Sequence, residues 1–257
     1  MSMPTYRFQM KKIVVYKVLI GEYDHITKEM YSITRDSASF AFDYVLISDM
    51  NITVPHPWKL MIIDRKFQSP AVENRFYKIN VPEEFNSYDY TVYLDSNISI
   101  INDLNPMMEM VIADNNYIYA YPHFRDTTIR EEIINCFIFS KINYCQMFEA
   151  RRFLKEKLNK KVGFECSVLI RKKVDKKLTS FHKTWFDLYL NHVKRDQLYF
   201  ATSLEDNGIA CKSLGVNNIR DGKGLFLSHS HKSKITVWKK IYIAIKMRIY
   251  RYDISNK

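Results

Sequence analysis

Three apolar runs of this chain stop on an aspartate, and a fourth stops on a glycine with an aspartate three residues further on. They are DYVLISD ending at Asp49, LMIID at Asp64, YTVYLD at Asp95, and KIVVYKVLI (Lys12–Ile20) before Gly21 and Asp24. Short runs rich in Val, Ile and Tyr read as buried strands. A fifth, YIYAY (117–121), precedes Pro122, and Ser167–Ile170 has strand character again. Between Arg130 and Leu158 the apolar spacing suits one or two helices. Strands alternating with helical connections predict an α/β fold around a central, mixed but mostly parallel sheet. In such a sheet the polar strand ends collect along the carboxyl edge, where ligands of open α/β sheets bind.

A chain of 257 residues with 47% hydrophobic residues holds one sizeable domain, 1–232, followed by a basic tail, 233–257. Eighteen Tyr and sixteen Phe must line a core or a cleft. The net charge of +11 attracts phosphates of any kind. No RNA-recognition, helix-turn-helix or zinc-finger pattern accompanies it, so nucleic acid is not an expected partner. The four cysteines form no CxxC pair and read as reduced core residues. The first residues lack the apolar stretch of a cleavable signal, Lys17 interrupts the one early apolar run, and no segment reaches the ~20 apolar residues of a membrane span. The expected location is cytoplasmic, with the inner face of a membrane as one option.

The chemistry-bearing centre is Asp95-Ser96-Asn97. A strand ending in D-x-N sets two hard oxygen donors at its tip, able to hold Mn²⁺ or Mg²⁺ against a diphosphate; a plain turn aspartate is the competing explanation. Three other stretches support a nucleotide-diphosphate site. Gly21, Tyr23 and Asp24 follow the first strand, as a nucleotide-cradling loop would. In PAVENRFYK (70–78), Arg75 and Lys78 share one side of a short helix and can meet phosphates or water. Late in the chain, HSHK puts His229, His231 and Lys232 where a histidine could complete a coordination shell and the lysine could meet a phosphate. His123 and Arg125, after a strand and Pro122, and Glu165 suit contacts to a second substrate. Asp196 is a candidate base for a substrate hydroxyl or a helix cap; Gln197 could steady positive charge at a reacting carbon.

IGEYD, PAVENRFYK, YDYTVYLDSNISI, YPHFRDTTIREEI, GFECSVLIRK, the helix containing Trp185, RDQLYF and HSHK occur in the order of a glycosyltransferase-like family once called domain of unknown function 616. The resemblance covers roughly Val14 to Lys232. More distantly, DSN, the Asp-Gln pair and the late His-Lys are similar to the family-8 glycosyltransferases. The resemblance implies a GT-A-like, Rossmann-like fold and a metal-dependent hexosyltransferase using a nucleotide-sugar donor, with uridine as its expected base. It implies Asp95, Asn97 and His231 as metal ligands, His229 remaining an alternative to His231, and a glycan acceptor, lipid-linked or free, in bacterial capsule or O-antigen assembly. Asn97 departs from the commoner Asp of the metal-binding pattern.

Ile235, Trp238, Ile241, Tyr242, Ile245, Ile249 and Tyr252 recur at steps of three and four. They predict an amphipathic helix with lysines and arginines on its other side, suited to packing on the domain, to a dimer contact or to an anionic membrane. Two further function classes stay open: a non-catalytic basic module for nucleic acid or lipid, and a sugar-nucleotide nucleotidyl- or phosphotransferase. The latter calls for a Gly-rich phosphate loop, and the sequence has none.

Overall fold

The structure, a computed structural model, describes residues 10–21, 27–33, 40–229, 241–248 and 250. Its centre is a seven-stranded sheet in the order β3-β2-β1-β4-β7-β6-β8. The strands are β1 (Lys12–Leu19), β2 (Ala41–Ser48), β3 (Trp58–Ile62), β4 (Tyr90–Leu94), β6 (Ile118–Pro122), β7 (Phe164–Lys172) and β8 (Cys211–Ser213). The neighbours β3, β2, β1 and β4 pair in parallel. β7 pairs antiparallel with both β4 and β6, and β8 runs parallel to β6, so β7 alone is reversed. A mixed, mostly parallel α/β sheet is therefore what the sequence expectation and the structure share.

The helices are α1 (Pro70–Ile79), α2 (Asn105–Asp114), α3 (Ile129–Ile138), α4 (Tyr144–Phe153), α5 (Lys176–Asn191) and α6 (Gln197–Asp206). They cover both faces of the sheet. Val14, Tyr16 and Val18 of β1 share one core with Tyr77 of α1, Ile133 of α3 and Trp185 of α5. Ile13, Val15 and Leu19 share the other with Met107, Met108 and Val111 of α2. A strand buried on both faces has no polar side to alternate with, which is why β1 reads as a nearly continuous apolar run.

α2 is not among the elements expected from sequence, although Pro106 in its first turn and the spacing of Met107, Met108 and Val111 mark it. Nor are β8 and β5 (Ile98–Ile100), three-residue strands too short to carry a pattern. β5 pairs antiparallel with β9 (Phe226–Ser228), the GLFLS run, in a separate two-stranded ribbon. The cysteines are free, but they are not all core residues: Cys136 and Cys166 are buried, Cys211 is half-buried, and Cys145 on α4 is exposed.

Residues 241–248 are helical and pack on the domain, but Ile241, Tyr242 and Ile245 of the expected stripe stay exposed and another side is buried. Ile243 is buried against Ile134 and Ile138 of α3, and Lys246 Nζ donates to the Phe137 carbonyl at 2.9 Å. Among the described residues no helix is long and apolar enough to cross a membrane.

Candidate active site

The carboxyl ends of the parallel strands are held together by polar contacts between chain segments far apart in sequence. At the end of β1, Gly21 adopts φ +57, and its amide donates to Asp49 Oδ1 at 2.8 Å. Asp49 also accepts from Arg65 Nε. A Cβ at position 21 would lie 3.1 Å from the Arg65 guanidinium, so glycine serves both the left-handed backbone and the close approach. Tyr23 and Asp24 lie outside the described residues.

At the end of β4, Asp95 is one-third exposed, and its Oδ1 accepts from Tyr93 Oη at 2.8 Å and from Lys78 Nζ at 3.2 Å. The same ammonium lies 2.9 Å from Asp196 Oδ2, and Arg75 Nε lies 3.3 Å from Asp196 Oδ1. Arg75 and Lys78 stand three positions apart on α1, one turn of one face, and both reach Asp196. Four residues expected at the site from sequence are therefore one ionic chain: Asp95, Lys78, Asp196, Arg75.

The electrostatics follow from burial and pairing. Burial disfavours the charged form of Lys78, but the carboxylates of Asp196 and Asp95 outweigh it and raise its pKa above the usual lysine value. Burial likewise opposes ionisation of Asp196, yet Lys78, Arg75 and Arg195 hold its carboxyl well below the normal range. Burial pushes the Tyr93 phenol well up, with the Asp95 charge adding to it, so Tyr93 remains a proton donor to Asp95.

Asp196 precedes α6 without capping it: its backbone is helical and its side chain makes no cap hydrogen bond. The carboxylate turns to α1 instead, which decides between the two sequence readings against a cap. An anion clamped between two cations is a weak proton acceptor, and through these two ion pairs Asp196 anchors Lys78 and Arg75. Gln197 is tied at both ends of its amide to β7: Oε1 accepts from Cys166 N at 3.0 Å and Nε2 donates to the Phe164 carbonyl. It braces the backbone on either side of Glu165.

Glu165 is held by Arg220 through two hydrogen bonds, of 2.7 and 3.1 Å, and by Asn217 at 2.9 Å. The Arg220 guanidinium lies 3.8 Å from the Phe124 ring centre, and that of Arg125 lies 4.8 Å from it. His123 is turned inward, with Nδ1 2.6 Å from the Arg125 carbonyl and Nε2 3.9 Å from Glu132 Oε2. β7 joins this cluster to the ionic chain: Asp95 N donates to the Ser167 carbonyl at 2.9 Å, and Ser167 Oγ donates to Glu165 Oε1 at 3.3 Å. Asn217 and Arg220 lie in a segment without a recognisable motif, and Phe124, inside YPHFRDTTIREEI, carries no polar group to mark it from sequence.

Ser96 and Asn97 form the turn between β4 and β5. Asn97 Nδ2 donates to Ser228 Oγ at 3.2 Å and to the His229 carbonyl at 2.8 Å, and His229 N donates back to the Asn97 carbonyl at 2.9 Å. The late histidine segment is thus brought against the D-S-N turn. The His229 ring faces Ser99, with Nε2 2.9 Å from its Oγ. His231 and Lys232 lie outside the described residues. Beneath the turn, buried Lys17 donates to the carbonyls of Met30, Ser96 and Ile98. Burial pushes its ammonium down to about 7, against the upward pull of Asp95.

Among the described residues no group of three His, Cys, Asp or Glu side chains gathers as a metal cage. Asp95 and Asn97 offer one carboxylate and one amide oxygen, the Asn97 nitrogen being turned to β9. That donor set fits a hard divalent cation sharing its shell with substrate phosphates, the usual arrangement for Mg²⁺. A cavity of ≈ 540 Å³ lined by Phe76, Tyr77, Asn80 and His182 lies against other residues of α1 and includes none of the expected site residues.

No protein-family model matches the chain, and no curated protein matches it. Among solved structures, the apo form of WbbM, described as a bifunctional glycosyltransferase, is similar at a TM-score of 0.47 and 12% identity, over 82% of this chain and 39% of that one. The glycosyltransferase GlyE of Streptococcus pneumoniae TIGR4 is similar at a TM-score of 0.49 and 15% identity, over 95% of this chain and 64% of that one. The chain spans less than two thirds of the length of either.

Proposed function

We propose that this chain is a glycosyltransferase of the GT-A type that moves a sugar from a nucleotide-diphosphate donor to a hydroxyl of a glycan. The observation carrying this reading is the bridge that Lys78 makes between Asp95 and Asp196 at the carboxyl edge of a mostly parallel sheet. In glycosyl transfer the bond from the anomeric carbon to the diphosphate oxygen breaks, and negative charge grows on the leaving group. Lys78 and Arg75, already fixed by Asp196, meet that charge without reorganising, which is where preorganised electrostatics lowers a barrier. Asp95 and the amide oxygen of Asn97 would hold Mn²⁺ or Mg²⁺, with His231 as the further ligand implied by the resemblance. Such an ion would add Lewis-acid stabilisation of the departing diphosphate. Glu165, Arg220, Arg125 and Phe124 form the acceptor side, offering charged hydrogen-bond partners and an aromatic face to a sugar. The family resemblance supports a uridine-linked donor, a hexosyl group, and bacterial capsule or O-antigen assembly as the process.

The test is donor hydrolysis across a panel of nucleotide sugars, with Mn²⁺, with Mg²⁺ and with chelator. The expected result is release of nucleoside diphosphate from one uridine-linked donor, lost with chelator and in Asp95→Ala. Failure to bind or cleave any nucleotide sugar with either ion overturns the reading.

A further inference from the structure

Helix 241–248 turns one largely apolar side to the domain and leaves other apolar residues on its outside. Its inward side is Ile243, Lys246 and Met247, with Tyr250 just beyond: Ile243 is buried on α3, Lys246 Nζ donates to the Phe137 carbonyl, and the Tyr250 ring lies 5.3 Å from Phe137. Ile241, Tyr242 and Ile245 are left on the outside. On neighbouring α4, Tyr144 and Phe148 also point outward, their ring centres 4.7 Å apart. These five side chains are each between 45% and 54% exposed. Tyr242 and Tyr144 line one shallow depression together with Lys141, which brings the outward rings of the two helices side by side. Single exposed apolar residues are ordinary; a contiguous group with a buried lysine behind it marks a contact surface.

We infer that this surface docks on an anionic lipid membrane. Exposed Lys141, Arg152 and Arg248 flank it, and residues 232–252 carry seven lysines and arginines with no Asp or Glu. Outward apolar side chains beside the exposed cations Lys141, Arg152 and Arg248 match the interface of a negatively charged bilayer, where rings and branched chains enter the headgroup boundary and lysine and arginine meet phosphates. A second copy of this chain would set the same uncompensated positive field against itself, so the charge pattern favours lipid over self-association. The proposal stands on this surface alone and is independent of the transferase reading.

The experiment is co-sedimentation of the full chain with phosphatidylcholine vesicles, with and without phosphatidylglycerol, at about 0.1 M and about 1 M salt. Light scattering gives the oligomeric state in parallel. Binding is expected only with phosphatidylglycerol, weaker at high salt, and about tenfold or more weaker in Ile241→Ser/Ile245→Ser, which removes apolar area from the contact. The melting temperature of that variant should stay near wild type, because both side chains already face outward. Should it fail to fold, Tyr144→Ser/Phe148→Ser tests the same surface from a different helix. Equal binding to both vesicle types, no binding to either, or a dimer that the double substitution converts to monomer overturns the proposal; the last outcome assigns the surface to a second copy.

Discussion

The Lys78 ammonium lies 2.9 Å from the Asp196 carboxylate, fixing the last turn of α1 to the residue that precedes α6. Both side chains are almost fully buried, and Asp95 takes the other side of the same ammonium. Removing one partner of such a pair leaves uncompensated charge in a low-dielectric place, a loss on the order of 3–5 kcal/mol. Lys78→Met should therefore lower the melting temperature sharply and abolish nucleoside-diphosphate binding by calorimetry. Lys78→Arg keeps the charge but not the point-like geometry, and should recover most of the stability while binding the diphosphate more weakly. Equal stability of Lys78→Met and wild type would show that the ammonium does not bridge the two carboxylates.

The same pair predicts how stability responds to acid. The Asp196 carboxyl titrates far below its unfolded value of about 3.9 because Lys78, Arg75 and Arg195 outweigh the effect of burial. A depressed carboxyl contributes stability above its unfolded pKa and loses that contribution as pH falls towards the folded one. Asp196→Asn should be much less stable than wild type at pH near 7, and the gap between their melting temperatures should narrow steadily below about pH 4. The other depressed aspartates, Asp43, Asp49 and Asp89, are present in both proteins and cancel in the difference. A gap that stays constant down to about pH 3 would mean that Asp196 titrates normally.

Asn97 explains its own departure from the aspartate of the metal-binding pattern. Its amide nitrogen donates to Ser228 Oγ and to the His229 carbonyl, holding β9 against the D-S-N turn. A carboxylate has no donor for either partner and would face the His229 carbonyl at 2.8 Å with like charge. Asn97→Asp should thus be destabilised by about 1–3 kcal/mol in denaturant titrations. Any gain in Mn²⁺ affinity from the added charge should be offset by the displaced ribbon. A more stable Asn97→Asp protein would contradict this role for the amide.

How much of this was legible beforehand depended on whether a residue's partner was near in sequence or predictable from an edge. The strand ends Asp49 and Asp95, and the i, i+3 pair Arg75 and Lys78, follow from local pattern, so their gathering at one edge was readable. Lys17 was visible only as an interruption in an apolar run. That was the signal, since a lysine inside a strand buried on both faces needs partners, but its three carbonyls belong to segments that only the fold brings near. Gln197 and Asp196 looked catalytic because they are adjacent polar residues opening an apolar helix. Gln197 hydrogen-bonds to β7 and Asp196 forms ion pairs with α1, partners that no spacing rule contains. Arg220 and Asn217 sit in a loop whose only meaning is its meeting with Glu165.

That meeting yields a prediction specific to the proposed acceptor side. Arg220 holds Glu165 through two charge-assisted bonds while stacking on Phe124, itself nearly half exposed. Neither residue touches the Lys78–Asp196 pair, and the link to Asp95 runs through the backbone of Ser167. In Arg220→Ala, Glu165 keeps Asn217 as a partner, so the loss of stability should be modest, about 1 kcal/mol. The Phe124 face would lose its cation and the Glu165 carboxylate its orientation. With donor and metal fixed, Arg220→Ala should raise KM for the acceptor about tenfold or more, leaving donor hydrolysis in the absence of acceptor near wild type, because the interaction lost is one of positioning. Glu165→Gln, which keeps the size but weakens the ion pair, should fall between the two. If donor hydrolysis drops as much as transfer, the Glu165 cluster serves the donor, and the two halves of the site are not divided along β7.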